Sequence, residues 1–144
     1  MRLLRAGFGS IAIVIGLLFA AAPASARIDQ ISLGTPQLGP RGITVVVPLT
    51  VTCDTDFNIA FGDVNIVQAS GHKLAQGTGS FVNDFPGVPC TGSPQSVSVT
   101  VPSTSSFTLK QGNAFASADV TVFNPVTFDF ITEFAPQQSV RLRK

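Results

Sequence analysis

From residue 43 onward the chain alternates apolar and polar residues one by one, in runs separated by Gly, Pro, Asn and Asp. The clearest run is 43–53. Ile43, Val45, Val47, Leu49, Val51 and Cys53 share one parity, while Thr44, Thr50 and Thr52 take the other. Successive side chains of a strand point to opposite faces, so this spacing predicts a strand with one buried side. Pro48 lies on the outward parity; lacking an N–H, it predicts an edge position or a bulge. In the next run Phe57, Ile59 and Phe61 alternate before the phase changes to Val64 and Ile66, and a bulge at Gly62 would return both sets to one face. Residues 70–73 read as a turn. Residues 73–81 read as a polar returning strand at an edge, weakened by Gly77 and Gly79.

Residues 83–94, with Pro86, Gly87, Pro89, Gly92 and Pro94, read as a loop. Residues 96–101 predict a strand with Val97, Val99 and Val101 inward. Residues 115–123 and 127–134 predict two more around an Asn124-Pro125 turn, and 139–143 a last one with Val140 and Leu142 inward. Ile28, Ile31 and Leu33 suggest a short first strand. No helical period with caps occurs after residue 26. Seven or eight short strands in residues 27–144 therefore predict a single all-β domain, an antiparallel β-sandwich in preference to a small barrel, because the strand lengths are unequal.

Residues 1–26 follow another pattern. Arg2 and Arg5 precede an apolar run over 6–22, and Ala24-Ser25-Ala26 is a small-residue cleavage pattern. That layout predicts a secretory signal peptide and a mature chain of 27–144, secreted or periplasmic. Its removal changes the balance of charge. The full chain has nine Lys and Arg against eight Asp and Glu; without Arg2 and Arg5 the net charge turns from +1 to −1. The mature part lacks the basic stripe of a nucleic-acid binder, and it lacks a second apolar run long enough to span a membrane. The expected partner is an extracellular or envelope component, and no cofactor is implied.

Cys53 and Cys90 are the only cysteines. In an exported chain they permit one intramolecular bridge, which on the chain-entropy model stabilises by about 4 kcal/mol. Neither has a Cys-x-x-Cys partner or an adjacent Lys, Arg or His to lower its thiol pKa, so a redox role is disfavoured.

Four segments carry a resemblance: Val51-Thr52-Cys53, Gly77-Thr78-Gly79-Ser80, Cys90-Thr91-Gly92-Ser93-Pro94-Gln95, and Val140-Arg141-Leu142-Arg143. In these the chain resembles small exported bacterial proteins with an immunoglobulin-like β-sandwich. The resemblance implies the fold and brings no activity with it. The chain departs from antibody-type domains in having neither Trp nor Tyr. Its cysteines are also closer in sequence than the usual bridge between sheets, so the bridge is expected to pin a loop to a strand end.

The candidate chemistry is sparse. The one histidine, His72, sits in a turn, and no Gly-x-Ser-x-Gly elbow is present to offer a nucleophile. Asp54-x-Asp56-x-Asn58 echoes the opening of a calcium loop, but the sixth position is Ile59 and the twelfth Asn65. Weak calcium binding there competes with a solvated strand end. Without Trp or Tyr a sugar-stacking cleft is disfavoured. All ten aromatic residues after residue 26 are Phe. Phe fills cores more readily than binding surfaces, so Phe123, Phe128, Phe130 and Phe134 read first as sandwich core and second as an apolar patch or small pocket. Arg141, Arg143 and Lys144 read as a solvated strand end, or as a weak contact for an anionic surface. These features point to a non-enzymatic protein with a binding or structural role. The alternatives are a carrier of small hydrophobic ligands and an envelope or pilus-type subunit assembled by strand addition.

Overall fold

A computed structural model describes residues 27–144. The signal-like segment 1–26 lies outside the described residues. The strands are β1 (Ile28–Leu33), β2 (Gln37–Leu38), β3 (Thr44–Cys53), β4 (Asn58–Ser70), β5 (Lys73–Val82), β6 (Val88–Pro89), β7 (Gln95–Pro102), β8 (Gly112–Phe123) and β9 (Phe130–Leu142). They form two antiparallel sheets. In the first, β1 and β2 lie end to end along one side of β3, and β7 lies along the other; the second runs β5-β4-β8-β9, with β6 extending the β5 side of β4. The chain crosses between sheets at β3–β4, β6–β7 and β7–β8. This is the immunoglobulin-like order, with the fourth long strand moved beside the third. The seven longer strands among the described residues agree with the seven or eight expected from the alternation.

One face of β3 supplies the middle of the core: Val45, Val47, Leu49, Val51 and Cys53 are all fully buried. Facing them, β8 presents Ala114, Ala116 and Ala118 before Val120 and Val122. The small side chains leave room for Leu49, Ile66, Leu109 and Leu142, which are wholly enclosed. Ile43 does not join this row. It follows a 3₁₀ turn at Pro40–Gly42 and is exposed, so the inward parity begins at Val45.

Pro48 sits in a central strand rather than at an edge or bulge. Its carbonyl accepts from Gly34 N–H at 2.7 Å, which turns its nitrogen toward the same side. That side is the break between β1 and β2, where no ladder donor is needed.

The bulge in β4 falls between Ile59 and Phe61, not at Gly62. Ala60 is the extra residue, so Gly62, Val64, Ile66 and Gln68 face inward and Phe61 is turned out. Gly62 has a different function: a Cβ there would lie 2.7 Å from the ring of Phe81, which covers it. Similarly, Gly77 and Gly79 bring edge strand β5 against the opposing β7. A Cβ on Gly77 would meet the Pro102 carbonyl at 2.8 Å, and one on Gly79 the Cα of Val101 at 2.8 Å. The sheets close to backbone contact there, so these glycines permit packing rather than simply weakening the strand.

The two C-terminal strands read from the sequence are one. β9 passes through Pro136 by means of a second bulge, where Gln138 pairs Ala116 and Ala135 pairs Ala118. Proline is tolerated because it falls at a bulge on an edge strand. At the far end, buried Gln68 ties down the β7–β8 crossover. Its Nε2 donates to the carbonyls of Lys110 (2.8 Å) and Asn113 (3.2 Å), and its Oε1 accepts from Lys110 N–H (2.7 Å).

Candidate functional site

Three connections, 54–57, 83–94 and 124–129, meet at the end of the sandwich that holds the disulfide. Cys53 closes β3 and Cys90 follows β6, with Cα atoms 5.5 Å apart. The bridge thus pins the long loop to a strand end, as the sequence predicted. Further hydrogen bonds press that loop onto the start of β4. Cys90 N–H donates to the Phe57 carbonyl (2.9 Å), Asn58 Nδ2 to the Pro86 carbonyl (3.1 Å), and Asn83 Nδ2 to the Ile59 carbonyl (2.9 Å). Gly87 has φ +99°, and a Cβ there would meet the Ile59 carbonyl at 2.6 Å, so only glycine lets the loop lie so close. The Phe85–Pro86 peptide is cis.

The β8–β9 turn is organised by Asn124. Its Oδ1 accepts from the N–H groups of Val126 (2.9 Å) and Thr127 (3.1 Å), and its N–H donates to the Asp129 carbonyl (2.9 Å). Phe128 takes φ +61°, a conformation uncommon for an aromatic residue. Its ring thereby sits edge-on to Phe123, with centroids 5.9 Å apart.

These loops and the outer face of the second sheet build an aromatic cluster outside the core. Phe123 is 2% exposed, yet its parity is opposite to that of Val122, so its ring lies on the outer face. It is covered by Phe130 (4.8 Å between centroids), Phe85 (5.2 Å) and Phe128; Phe61 stands 6.4 Å from Phe130. Beside them opens a cleft of about 390 Å³, lined chiefly by Phe61, Val82, Phe85, Pro86, Phe123 and Phe130. Asp84 is the one titratable side chain in its lining.

Of the four hairpin phenylalanines, the structure joins Phe123, Phe128 and Phe130. Phe134 lies further along β9 opposite Asp119. None belongs to the core between the sheets. Phe130 and Phe134 are 59% and 75% exposed, because the inner parity of β9 belongs to Ile131 and Ala135, and Phe128, 70% exposed, lies in the turn before that strand. Phe61 and Phe85 were not legible as site residues. A bulge placed at Ala60 would have pointed Phe61 outward; for Phe85 no local signal existed.

Asp54, Asp56 and Asn58 are not brought together as a ligand set. Asn58 is buried and its amide is committed to Pro86, whereas Asp54 and Asp56 line a shallow depression with Arg27 and Asp129. Among the described residues no group of three or more His, Cys, Asp or Glu is placed to hold a metal ion. His72 occupies the exposed two-residue turn between Ser70 and Lys73.

Charge is divided along the long axis. All eight acids lie in the half nearer the disulfide, by their place in the strand registers. Of the bases after residue 26, Arg27 alone shares that half, 5.4 Å from the centre of the Phe57 ring; the other six are at the far end. Asp63 and Asp119 face each other across β4 and β8 on the outer face. Burial raises the Asp119 pKa above its ordinary value and the Asp63 carboxylate raises it further, while a backbone hydrogen bond from Asp63 partly offsets both.

No family model matches the sequence, and no curated protein does. Among solved structures the chain is similar to murine CRIg. The two share 15% identity with a TM-score of 0.33, over 79% of this chain and 97% of that chain.

Proposed function

We propose that this protein is a non-enzymatic binding module working outside the cytoplasm, and that its site is the phenylalanine-lined cleft at the disulfide end. One observation carries the reading: five phenylalanines and Val82 gather on an outer sheet face around an open cleft, where they add little to the core. Monomeric proteins seldom leave such contiguous apolar area uncovered without a use for it. The ligand is an apolar molecule, or the apolar side chain of a larger one. A single carboxylate in the lining offers no acid–base pair, which supports binding over catalysis. The disulfide, the signal-like leader and the resemblance to exported sandwich proteins support the compartment.

The test is titration with the hydrophobic dye 1-anilinonaphthalene-8-sulfonate. Saturable fluorescence is expected, weakened by Phe130→Ser and by Phe85→Ser. Phe115→Ser, at the other end of the same strand array, should leave it unchanged. No enhancement, or equal loss with Phe115→Ser, overturns the assignment.

A further inference from the structure

The half of β9 before its bulge is a sheet edge with no strand on its outer side among the described residues. The Asn124–Asp129 hydrogen bond sets the phase of the ladder. Residues 131 and 133 turn their N–H and C=O groups toward β8, and Phe130, Thr132 and Phe134 turn theirs outward. The hydroxyls of Thr121 and Thr132, 2.6 Å apart, show the close approach of a non-hydrogen-bonded pair and agree with that phase. β2 reaches this side only at Arg143, just past the C-terminal end of β9 and far beyond the bulge.

We infer that this edge takes an extended peptide strand in which apolar and basic residues alternate. A strand added here sends its side chains alternately to the two faces. One set falls on the outer face beside Phe130 and Phe134. The other falls over a depression of about 260 Å³ between the sheets, lined by Ile28, Asp29, Glu133, Ala135 and Pro136 among others. An aliphatic floor with two carboxylates fits a Lys or Arg side chain, whose stem packs while its charge meets the acids. The acidic character of this half of the molecule selects the same sign. It also disfavours a second copy, since two-fold pairing about Thr132 would bring both copies of Glu133 and Asp129 near one another. The inference goes beyond the cleft: the depression shares no residue with the cleft lining, and only Phe130 is common to the cleft and the free edge.

The probe is the peptide acetyl-(Val-Lys)3-amide, labelled and followed by fluorescence anisotropy with the full domain. Saturable binding is expected, weaker in added salt. Glu133→Lys and the peptide acetyl-(Val-Glu)3-amide should each bind at least about tenfold more weakly, the loss of a charge-assisted contact. In an antiparallel addition, the orientation of every ladder in this sheet, the residues paired with Phe130, Thr132 and Phe134 donate their own N–H to β9. N-methylation of the valines should therefore abolish binding, whereas N-methylation of the lysines leaves it. Thr132→Pro removes an outward N–H and no ladder bond, so it should block the peptide without loss of folding or dye binding; the methylated peptides decide the matter if that variant does not fold. Equal binding of the Glu peptide, or indifference to which nitrogens are methylated, overturns the inference. So does a dimer of the free protein that Thr132→Pro converts to monomer, which makes a second copy the occupant.

Discussion

The molecule has two apolar clusters of opposite character. Between the sheets the contacts are mainly aliphatic: Val, Leu, Ile and a row of alanines, joined by the disulfide, by buried Phe57 and by the partly buried ring of Phe81. On the outer face of the second sheet they are aromatic and half open. Of the ten described phenylalanines only Phe57 and Phe123 are buried. The interior explains the division. With β5 held in backbone contact with β7 by Gly77 and Gly79, and alanines along the centre of β8, the layer is filled chiefly by aliphatic side chains, and only Phe57 and Phe81 add rings to it. Rings placed outside bury less area and contribute less to stability, but they remain available to a ligand. Stability and recognition are thus assigned to different residue types on opposite faces of one sheet.

The largest perturbation should strike both clusters. Replacing Cys53 and Cys90 together by Ala should cost about 4 kcal/mol on the chain-entropy model, read from denaturant midpoints. Because the freed loop carries Phe85, dye binding should fall as well; a full loss of stability with intact dye binding would mean the loop holds its place unaided. Leu49→Ala should separate the clusters. It removes a fully buried side chain, so a loss of about 3 kcal/mol is expected with dye affinity of the folded protein unchanged. Phe130→Ala is the converse, costing less than about 1 kcal/mol while weakening the dye several-fold. If the two variants cost the same, the outer cluster is structural and the contrast fails.

The smallest effect concerns the acids on the outer face. Burial and Asp63 raise the Asp119 pKa, so in the window above its ordinary value the folded state holds more protons than the unfolded chain. Stability therefore falls as pH rises through that window. Asp119→Asn should gain about 0.5 kcal/mol near neutral pH, the size of a like-charge cross-strand pair, and nothing below the carboxylate range. Melting curves at pH 7 and pH 3 provide the measurement; equal gains at both would remove electrostatics as the cause.

Much of the fold was legible because alternation is local. The buried row of β3 and the inward valines of β7 follow from parity alone. Features that depend on a partner strand were not. Whether the slip in β4 lies at Ala60 or Gly62 is decided by the register against β8, and that choice turns Phe61 from core to surface. Residues 127–134 and 139–143 read as two strands because a bulge leaves no composition of its own. The hairpin phenylalanines were read first as core for a related reason: alternation tells which residues share a face, not which face is covered. The disulfide, needing only two cysteines, was open to simple counting.

Gln68 has a consequence for the β7–β8 crossover. The Lys110 amide belongs to no strand, yet it bonds to a side chain that β4 holds inside the sandwich. Its hydrogen should therefore exchange with deuterated solvent on the slow clock of the sheet, as should that of buried Leu109, which donates to the Gly42 carbonyl (3.1 Å), while loop amides without such a bond exchange on the fast clock of the surface. One amide side chain thus lends the tempo of the sheet to a loop position that the ladder never reaches.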